Sequence, residues 1–391
     1  MAKKKSSLFD SVRKNLIKKN DDIVLDLTEP KIWADSGNYV LNHILSGSFS
    51  KGYPAGRMVQ LFGASGSGKS FLTARAIAKA QEDGYMVAVL DSEQAISQDY
   101  LLKCGVDIDP SMLMTIQVQT VEQTQDAMIE VLDGVRAEQK ALGNNSELKL
   151  MIIVDSIGAL NSTKALDDAE RNHHASDMGT KAKALTKMIN IVTQKIGITE
   201  SICILTNHSA LEVGVMFPQE LPKGGKIMEY APSISLRIGK GKIKPADLVE
   251  LEYLYGGEIP KHLGALGIVS RIELYKSRFT RPFRKVQLMI PYDFGLPEYA
   301  GLFDYLKDNG IIIEGGRKGY YNCSEVTFEK DFSRKDFIKG GWADIIMKHL
   351  LAEEAKGHIY DFIMKSSEDI EREKSSKDDM IVEELDDSNE D

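Results

Sequence analysis

The chain has 391 residues, 42 % apolar and 27 % charged, the balance of a globular protein with a sizeable core. No apolar run approaches the roughly 18 residues of a membrane helix; no apolar segment follows the basic start, and Cys104, Cys203 and Cys323 are scattered, which excludes membrane-spanning, secreted and zinc-finger classes and leaves an intracellular protein. The formal charge of −9 resides in residues 368–391, where 12 acidic side chains face 3 basic ones; the body is neutral, and the first 20 residues are basic through Lys3, Lys4, Lys5, Arg13, Lys14, Lys18 and Lys19. A polyanionic partner and simple solubilisation account equally well for that distribution.

Along the chain, residues 7–19 place Leu8, Val12 and Leu16 four apart, the spacing of a short amphipathic helix with a basic outer face. An extended stretch, Ile23 to Leu27, follows. From about 40 to 210, short apolar strands (Met58–Phe62, Met86–Leu90, Met114–Val118, Met151–Val154, Ile202–Thr206) alternate with helices at about 70–83, 98–104, 121–141 and 177–195. This alternation predicts an α/β fold with a mostly parallel sheet covered on both faces. After residue 230, Ser233–Ile238, Val249–Tyr255, Ile268–Leu274 and Lys285–Ile290 read as strands without intervening helices, extending the sheet by antiparallel pairs. Helices at about 299–309 and 342–364 suggest a small C-terminal unit. Residues 366–391 lack the aromatics and periodicity of a core and are expected to be disordered.

Gly63-Ala64-Ser65-Gly66-Ser67-Gly68-Lys69-Ser70 fits G-x-x-x-x-G-K-[ST], preceded by a strand and followed by a helix. Such glycines let backbone N–H groups curl around an anion at the positive end of the helix. Lys69 is expected to reach the β/γ-phosphates and the Ser70 hydroxyl to coordinate Mg²⁺. The strand Leu150–Val154 ends in Asp155, at the crevice where a parallel sheet binds ligands. There Asp155 can hold magnesium through water, or merely cap the next helix. A third strand ends in Asp91-Ser92-Glu93, and Glu93 is the candidate to deprotonate an attacking water; a helix-dipole charge is the alternative. The fourth ends in Asn207-His208, a pair able to contact a γ-phosphate or to serve as satisfied structural groups.

These residues resemble a known family. Gly63 through Ser70, Asp91-Ser-Glu93-Gln-Ala-Ile, Tyr100 with Gly105-Val-Asp-Ile-Asp, Val154-Asp-Ser-Ile-Gly-Ala-Leu160, Ser176-Asp-Met-Gly179 and Gly214-Val-Met-Phe217 are similar, in the same order, to bacterial RecA over residues 35–320. Asn207-His208 in place of RecA's Asn-Gln, the length and the acidic tail look more like the phage UvsX branch. The resemblance implies a RecA-like P-loop ATPase core with an N-terminal helical arm, a small C-terminal α+β unit and an acidic disordered tail. It divides the chain into an oligomerisation arm (1–36), an ATPase core with DNA-binding loops (37–296), a small C-terminal domain (297–365) and the tail (366–391). It implies ATP and Mg²⁺ as cofactors, with Glu93, Lys69 and His208 catalytic. The phosphate loop, Phe71, Tyr100 on the adenine, and Asp155 would bind the nucleotide; Ser70 and Asp155 would serve the metal. Lys276 and Arg278 match the paired cations that reach a neighbouring protomer's ATP, although RecA has Lys at both positions; a solvated basic face is the alternative.

By the same resemblance, loops at about 161–175 and 209–228 bind DNA. Arg171, Lys223, Lys226 and the backbone of Gly224-Gly225 would meet phosphates, and Met216 and Phe217 would wedge between bases. By composition alone these pass as ordinary surface loops. His173-His174 carry no metal spacing. The arm is expected to dock on an adjacent copy and add a strand to its sheet, or else to pack on its own core. Residues 239–266 are longer than RecA's connection and are read as an extra hairpin with no assigned role. The implied protein is a cytoplasmic recombinase (in the host cell, if phage-encoded). It would polymerise on single-stranded DNA, pair it with duplex, and work with a single-strand-binding protein and a loading mediator. A ring-forming helicase of the same fold is the alternative, which Ser176–Gly179 and Gly214–Phe217 do not fit.

Overall fold

The computed structural model describes residues 8–19, 29–143, 148–171, 179–212, 214, 216, 218–243, 245–254, 266–326, 328 and 330–360. Its centre is an eight-stranded sheet built from β1 (Arg57–Gly63), β2 (Tyr85–Asp91), β3 (Leu113–Gln117), β4 (Lys149–Asp155), β5 (Ile202–Asn207), β6 (Ile234–Lys240), β7 (Gly267–Ser277) and β8 (Lys285–Pro291). The spatial order is β8-β7-β6-β1-β5-β4-β2-β3. The strands from β6 to β3 in that order pair in parallel, whereas β7 is antiparallel to both neighbours. The unbroken apolar run Leu150–Val154 has this cause: every residue in it is buried, because helices cover both faces of a parallel sheet. Leu90, Ile152, Val154 and Leu205 share one core with Leu132, Ile189 and Val192 of the helices Val121–Leu142 and Thr180–Thr199.

Register brings the carboxyl ends of four parallel strands to one edge. Phe62 lies opposite Asn207, Val154 opposite Leu205, and Asp91 opposite Asp155. Gly63 therefore opens the phosphate loop beside a row of polar strand ends, at the place where open α/β sheets bind ligands.

The predicted strands and helices of residues 57–207 are present, with ends shifted by a few residues. One predicted strand is not. Val249–Tyr255 falls largely within a helix, Pro245–Leu254, so the segment 239–266 is not a simple hairpin; its residues 255–265 lie outside the described ones. The run Val-Glu-Leu-Glu-Tyr-Leu-Tyr alternates like a strand, but Pro245 at the first helical position and Asp247 in the first turn are helix-start signals. Leu251 is fully buried against Val269 and Met289, with Leu248 beside it; such burial contributes roughly 1.5–3 kcal/mol per side chain in either conformation, so the local signals decide. The first predicted DNA loop also holds a short helix, Thr163–Glu170, whose first residue is tied by Glu122 through its backbone N–H (3.0 Å).

The helix Leu8–Lys19 is present, while Ile23–Leu27 and the acidic tail lie outside the described residues. The chain divides into two compact units after Leu302. In the second, strands Ile312–Glu314, Tyr320–Cys323 and Phe332–Ser333 form a sheet with helices Arg334–Lys339 and Trp342–Ala355. Phe332 stacks on Trp342 (centroids 5.3 Å apart) and Phe303 meets Phe337 edge-on (5.2 Å). The helices predicted at 299–309 and 342–364 are shorter, Leu302–Asp308 and Trp342–Ala355. Among the described residues no helix is long and apolar enough to cross a membrane.

Candidate nucleotide-binding site

The phosphate loop runs from the end of β1 into the helix Lys69–Glu82. Gly63, Gly66 and Gly68 have φ of +157°, +67° and +105°, positive values that glycine adopts without the steric cost of a Cβ. The helix has neither a side-chain cap nor an acid in its first turn, so its positive end is left for an anion. Lys69 Nζ donates to the carbonyls of Gly63 (3.0 Å) and Ala64 (2.9 Å), and burial pulls its pKa down. The loop rests on the neighbouring strands with no slack: a Cβ on Gly63 would stand 2.0 Å from the Ile238 carbonyl oxygen. Gly63→Ala should therefore cost roughly 2–4 kcal/mol in a urea melt. Gly134→Ala, in a helix with nothing within 4 Å of the new Cβ, should instead raise stability by about 0.5–1 kcal/mol.

Across β5 lies the acidic side of the crevice. Asp155 ends β4, and Thr206 Oγ1 donates to its Oδ1 (2.5 Å). Burial raises the Asp155 carboxyl, and the charges of Glu93 and Asp91 add to this; a nearby cation would relieve it. Ser70 is exposed at the start of the helix. One carboxylate, one hydroxyl and water suit Mg²⁺, which keeps much of its hydration shell.

Asp91 is engaged by the backbone. Its Oδ1 accepts the backbone N–H groups of Glu93 (3.0 Å) and Gln94 (2.8 Å), a turn that leaves Gln94 at φ +53° and projects Glu93 into the crevice. Ser156 Oγ donates to Glu93 Oε1 (2.6 Å), and His208 Nε2 stands 3.0 Å from the same oxygen. A carboxylate only accepts, so Nε2 carries the proton in that bond. Burial alone would raise the Glu93 carboxyl; the hydrogen bonds from Ser156 and His208, with the charges of His208 and Lys69, outweigh it and hold the group below its ordinary value. Ser92 closes the network: its Oγ donates to the Ser156 carbonyl (2.8 Å) and accepts from the Ser156 N–H (2.9 Å). Glu93 and His208, read from the sequence as separate candidates, are thus one hydrogen-bonded pair.

Beside the helix start, the Phe71 ring meets Tyr100 edge-on (5.2 Å) and Tyr292 at 5.9 Å. These faces suit a nucleobase. Burial pushes the Tyr100 phenol well above its ordinary pKa. Tyr292 and Ser156 were missed in the sequence. The available signal for Tyr292 was topological: an antiparallel β7 returns β8 in the direction of β1, so the residue after Pro291 reaches the same edge.

Lys276 and Arg278 do not join this cluster. Arg278 N–H donates to the Ser233 carbonyl, and Ser233 N–H donates to Met58. Met58 is five residues from Gly63, roughly 16 Å along the strand. Lys276 Nζ donates to the carbonyls of Glu229 (2.9 Å) and Tyr230 (2.6 Å), and Arg278 Nη2 to Tyr230 (3.3 Å). Burial, then the charge of Arg278, lowers the Lys276 pKa.

Of the second loop, strands Ser209–Leu211 and Glu220–Pro222 pair beyond β5. Met216 is 88 % exposed, while Phe217 lies outside the described residues, as do His173 and His174. Asn207 Nδ2 donates to the Lys223 carbonyl (2.7 Å) and Lys223 N–H donates to the His208 carbonyl (3.0 Å), so this loop is joined to the nucleotide edge by the Asn207-His208 pair. Arg171, Gly225 and Lys226 are exposed, and Gly224 packs on Leu185 and Met228.

Comparison with known proteins decides the family. The model of the RecA N-terminal domain matches residues 26–297. This chain belongs to the RecA family. It is 28 % identical to the RecA protein of Streptomyces coelicolor over 74 % of this chain and 68 % of that one. To the RecA protein of Bacteroides thetaiotaomicron it is 29 % identical over 80 % and 83 %. As a RecA-family protein it is a P-loop, DNA-dependent ATPase and strand-exchange recombinase that uses ATP with Mg²⁺, binds DNA and assembles with itself. The loop geometry, the uncapped helix start, and the presence of a Ser70 hydroxyl at the helix start and an Asp155 carboxylate at the strand-end edge suit that nucleotide and metal.

Proposed function

We propose that this RecA-family chain is a phage UvsX-type recombinase, acting in recombination-dependent replication as well as repair. On this reading Glu93 activates the attacking water, Lys69 and the phosphate loop hold the phosphates, Ser70 and Asp155 hold Mg²⁺, and the Phe71–Tyr100–Tyr292 faces hold the adenine. His208 reports the γ-phosphate to the second DNA loop through Lys223. Residues 1–36 form the arm, 37–296 the ATPase core, 297–365 a small domain and 366–391 an acidic tail. The exposed edge of β3, with Met114 50 % exposed, is the natural partner for an added strand of a neighbour's arm. Single-strand-binding and mediator proteins in a host cytoplasm complete the scheme.

The observation that supports a nucleotide shared between protomers is the separation of Lys276 and Arg278 from the phosphate loop. Two cations at the opposite end of the sheet can serve a nucleotide only across a protomer junction, with Arg278 as a planar clamp on phosphate oxygens. With ATP and single-stranded DNA, electron microscopy should show helical filaments, and Arg278→Ala should abolish them along with strand exchange while leaving ATP binding to dilute monomer within about twofold. Rings in place of filaments would instead favour a helicase.

A further inference from the structure

The strand next to the phosphate loop delivers a cation that neither the motif nor the acidic edge accounts for. Ile238 lies opposite Gly63 in the β6–β1 register. The next two residues carry β6 past the end of β1, by roughly 6–7 Å, to the level of the loop. Lys240 closes that strand, and its Nζ and Cε lie 3.3 and 3.5 Å from the point a Cβ on Gly66 would occupy. Glycine at 66 thus leaves the space the lysine head uses. The placement is braced: Gly241 N–H donates to the Val269 carbonyl (2.7 Å), and Ser270, opposite Lys240, donates through Oγ to the Ser67 carbonyl (2.6 Å).

The Lys240 side chain is exposed and makes no hydrogen bond or ion pair among the described residues. The acids that end the parallel strands stand on the other side of the loop, across β5, and are committed: Asp155 to Thr206, Glu93 to Ser156 and His208, Asp91 to backbone amides. An ammonium held on a loop already bearing Lys69 is opposed by like charge unless an anion joins them. The charge is felt at the site, where Lys240 adds to burial in lowering the Lys69 pKa.

We infer that Lys240 is a second phosphate-binding cation, acting within its own protomer on the polyphosphate tail of the bound nucleotide. This rests on the reading of the edge as a nucleotide site. Its contribution scales with phosphate charge, greatest for ATP, smaller for ADP and absent for adenosine, and it weakens with salt because the lysine head is exposed.

The test is binding of a fluorescent N-methylanthraniloyl ATP with Mg²⁺ to the full-length chain without DNA, with ADP and adenosine as competitors. Lys240→Gln should weaken ATP about 5- to 20-fold at low salt, the size of one partly screened charge–phosphate contact, and ADP less. Lys240→Arg should stay within about twofold of wild type. The melting temperature should not change, because the residue is exposed and has no partner among the described residues. ATP affinity of Lys240→Gln equal to wild type overturns the inference, as does an equal loss for adenosine. Unchanged nucleotide binding with weakened single-stranded DNA binding would assign the lysine to DNA and overturn it too. If wild type fails to bind ATP any better than Lys69→Ala, the nucleotide site itself is misplaced, and that failure is recognisable because it precedes any effect at Lys240.

Discussion

Lys69→Ala abolishes ATP hydrolysis and every DNA activity that depends on the nucleotide. Lys69 is the only cation of the motif, held buried by the Gly63 and Ala64 carbonyls at the mouth of the helix. Loss of such a preorganised donor costs on the order of 10²–10³ in turnover, and the lost ground-state contact raises KM as well. Steady-state phosphate release with saturating single-stranded DNA checks the rate, and circular dichroism checks that the fold survives with two carbonyls left without their donor. Lys69→Arg sharpens the result: the charge remains, but a planar fork does not match a point-charge site, so some binding should persist without turnover. Wild-type hydrolysis in either variant would remove the loop from the mechanism.

Glu93→Gln separates binding from chemistry. Glutamine keeps the shape and can still accept from Ser156 Oγ and His208 Nε2 through one oxygen, but it cannot take a proton from water. Turnover should fall by about 10²–10⁴-fold, while ATP-dependent DNA binding persists and filaments become longer-lived. The pH dependence follows from the sign of the shift. Glu93 is held below its ordinary value, so it is ionised throughout pH 6–8 and any stability it contributes is lost only in acid, as pH falls through the depressed value. The wild-type rate should show no acid limb from Glu93 above about pH 5. A Glu93→Gln protein that turns over normally would show that another group activates the water.

Much of the site was readable because it is local. A phosphate loop needs consecutive residues between a strand and a helix, and the apolar run before Asp155 announces a buried parallel strand that must end at the ligand edge. Strand-end placement of Glu93 and His208 was likewise available from hydrophobic pattern. Their direct hydrogen bond was not. It depends on β5 and β2 being brought to one edge by the order β5-β4-β2, and on Ser156 turning its hydroxyl across to Glu93. Pattern failed at Val249–Tyr255, where period-2 alternation outvoted the Pro245 start signal in the reading but not in the fold.

What the amino-acid order determined by itself was the set of candidate groups: a phosphate-loop motif, carboxylates at the ends of two apolar strands, a basic pair and aromatic side chains, each legible from neighbours within a few residues. The tertiary structure alone decided which of these can act together. Long-range register set Lys276 and Arg278 at the far end of the sheet from their own phosphate loop, brought Tyr292 back to the nucleotide edge, and laid Lys240 against Gly66. Strand order and direction are properties of pairings between residues tens to hundreds apart, and no local pattern encodes which end of the sheet a side chain will reach.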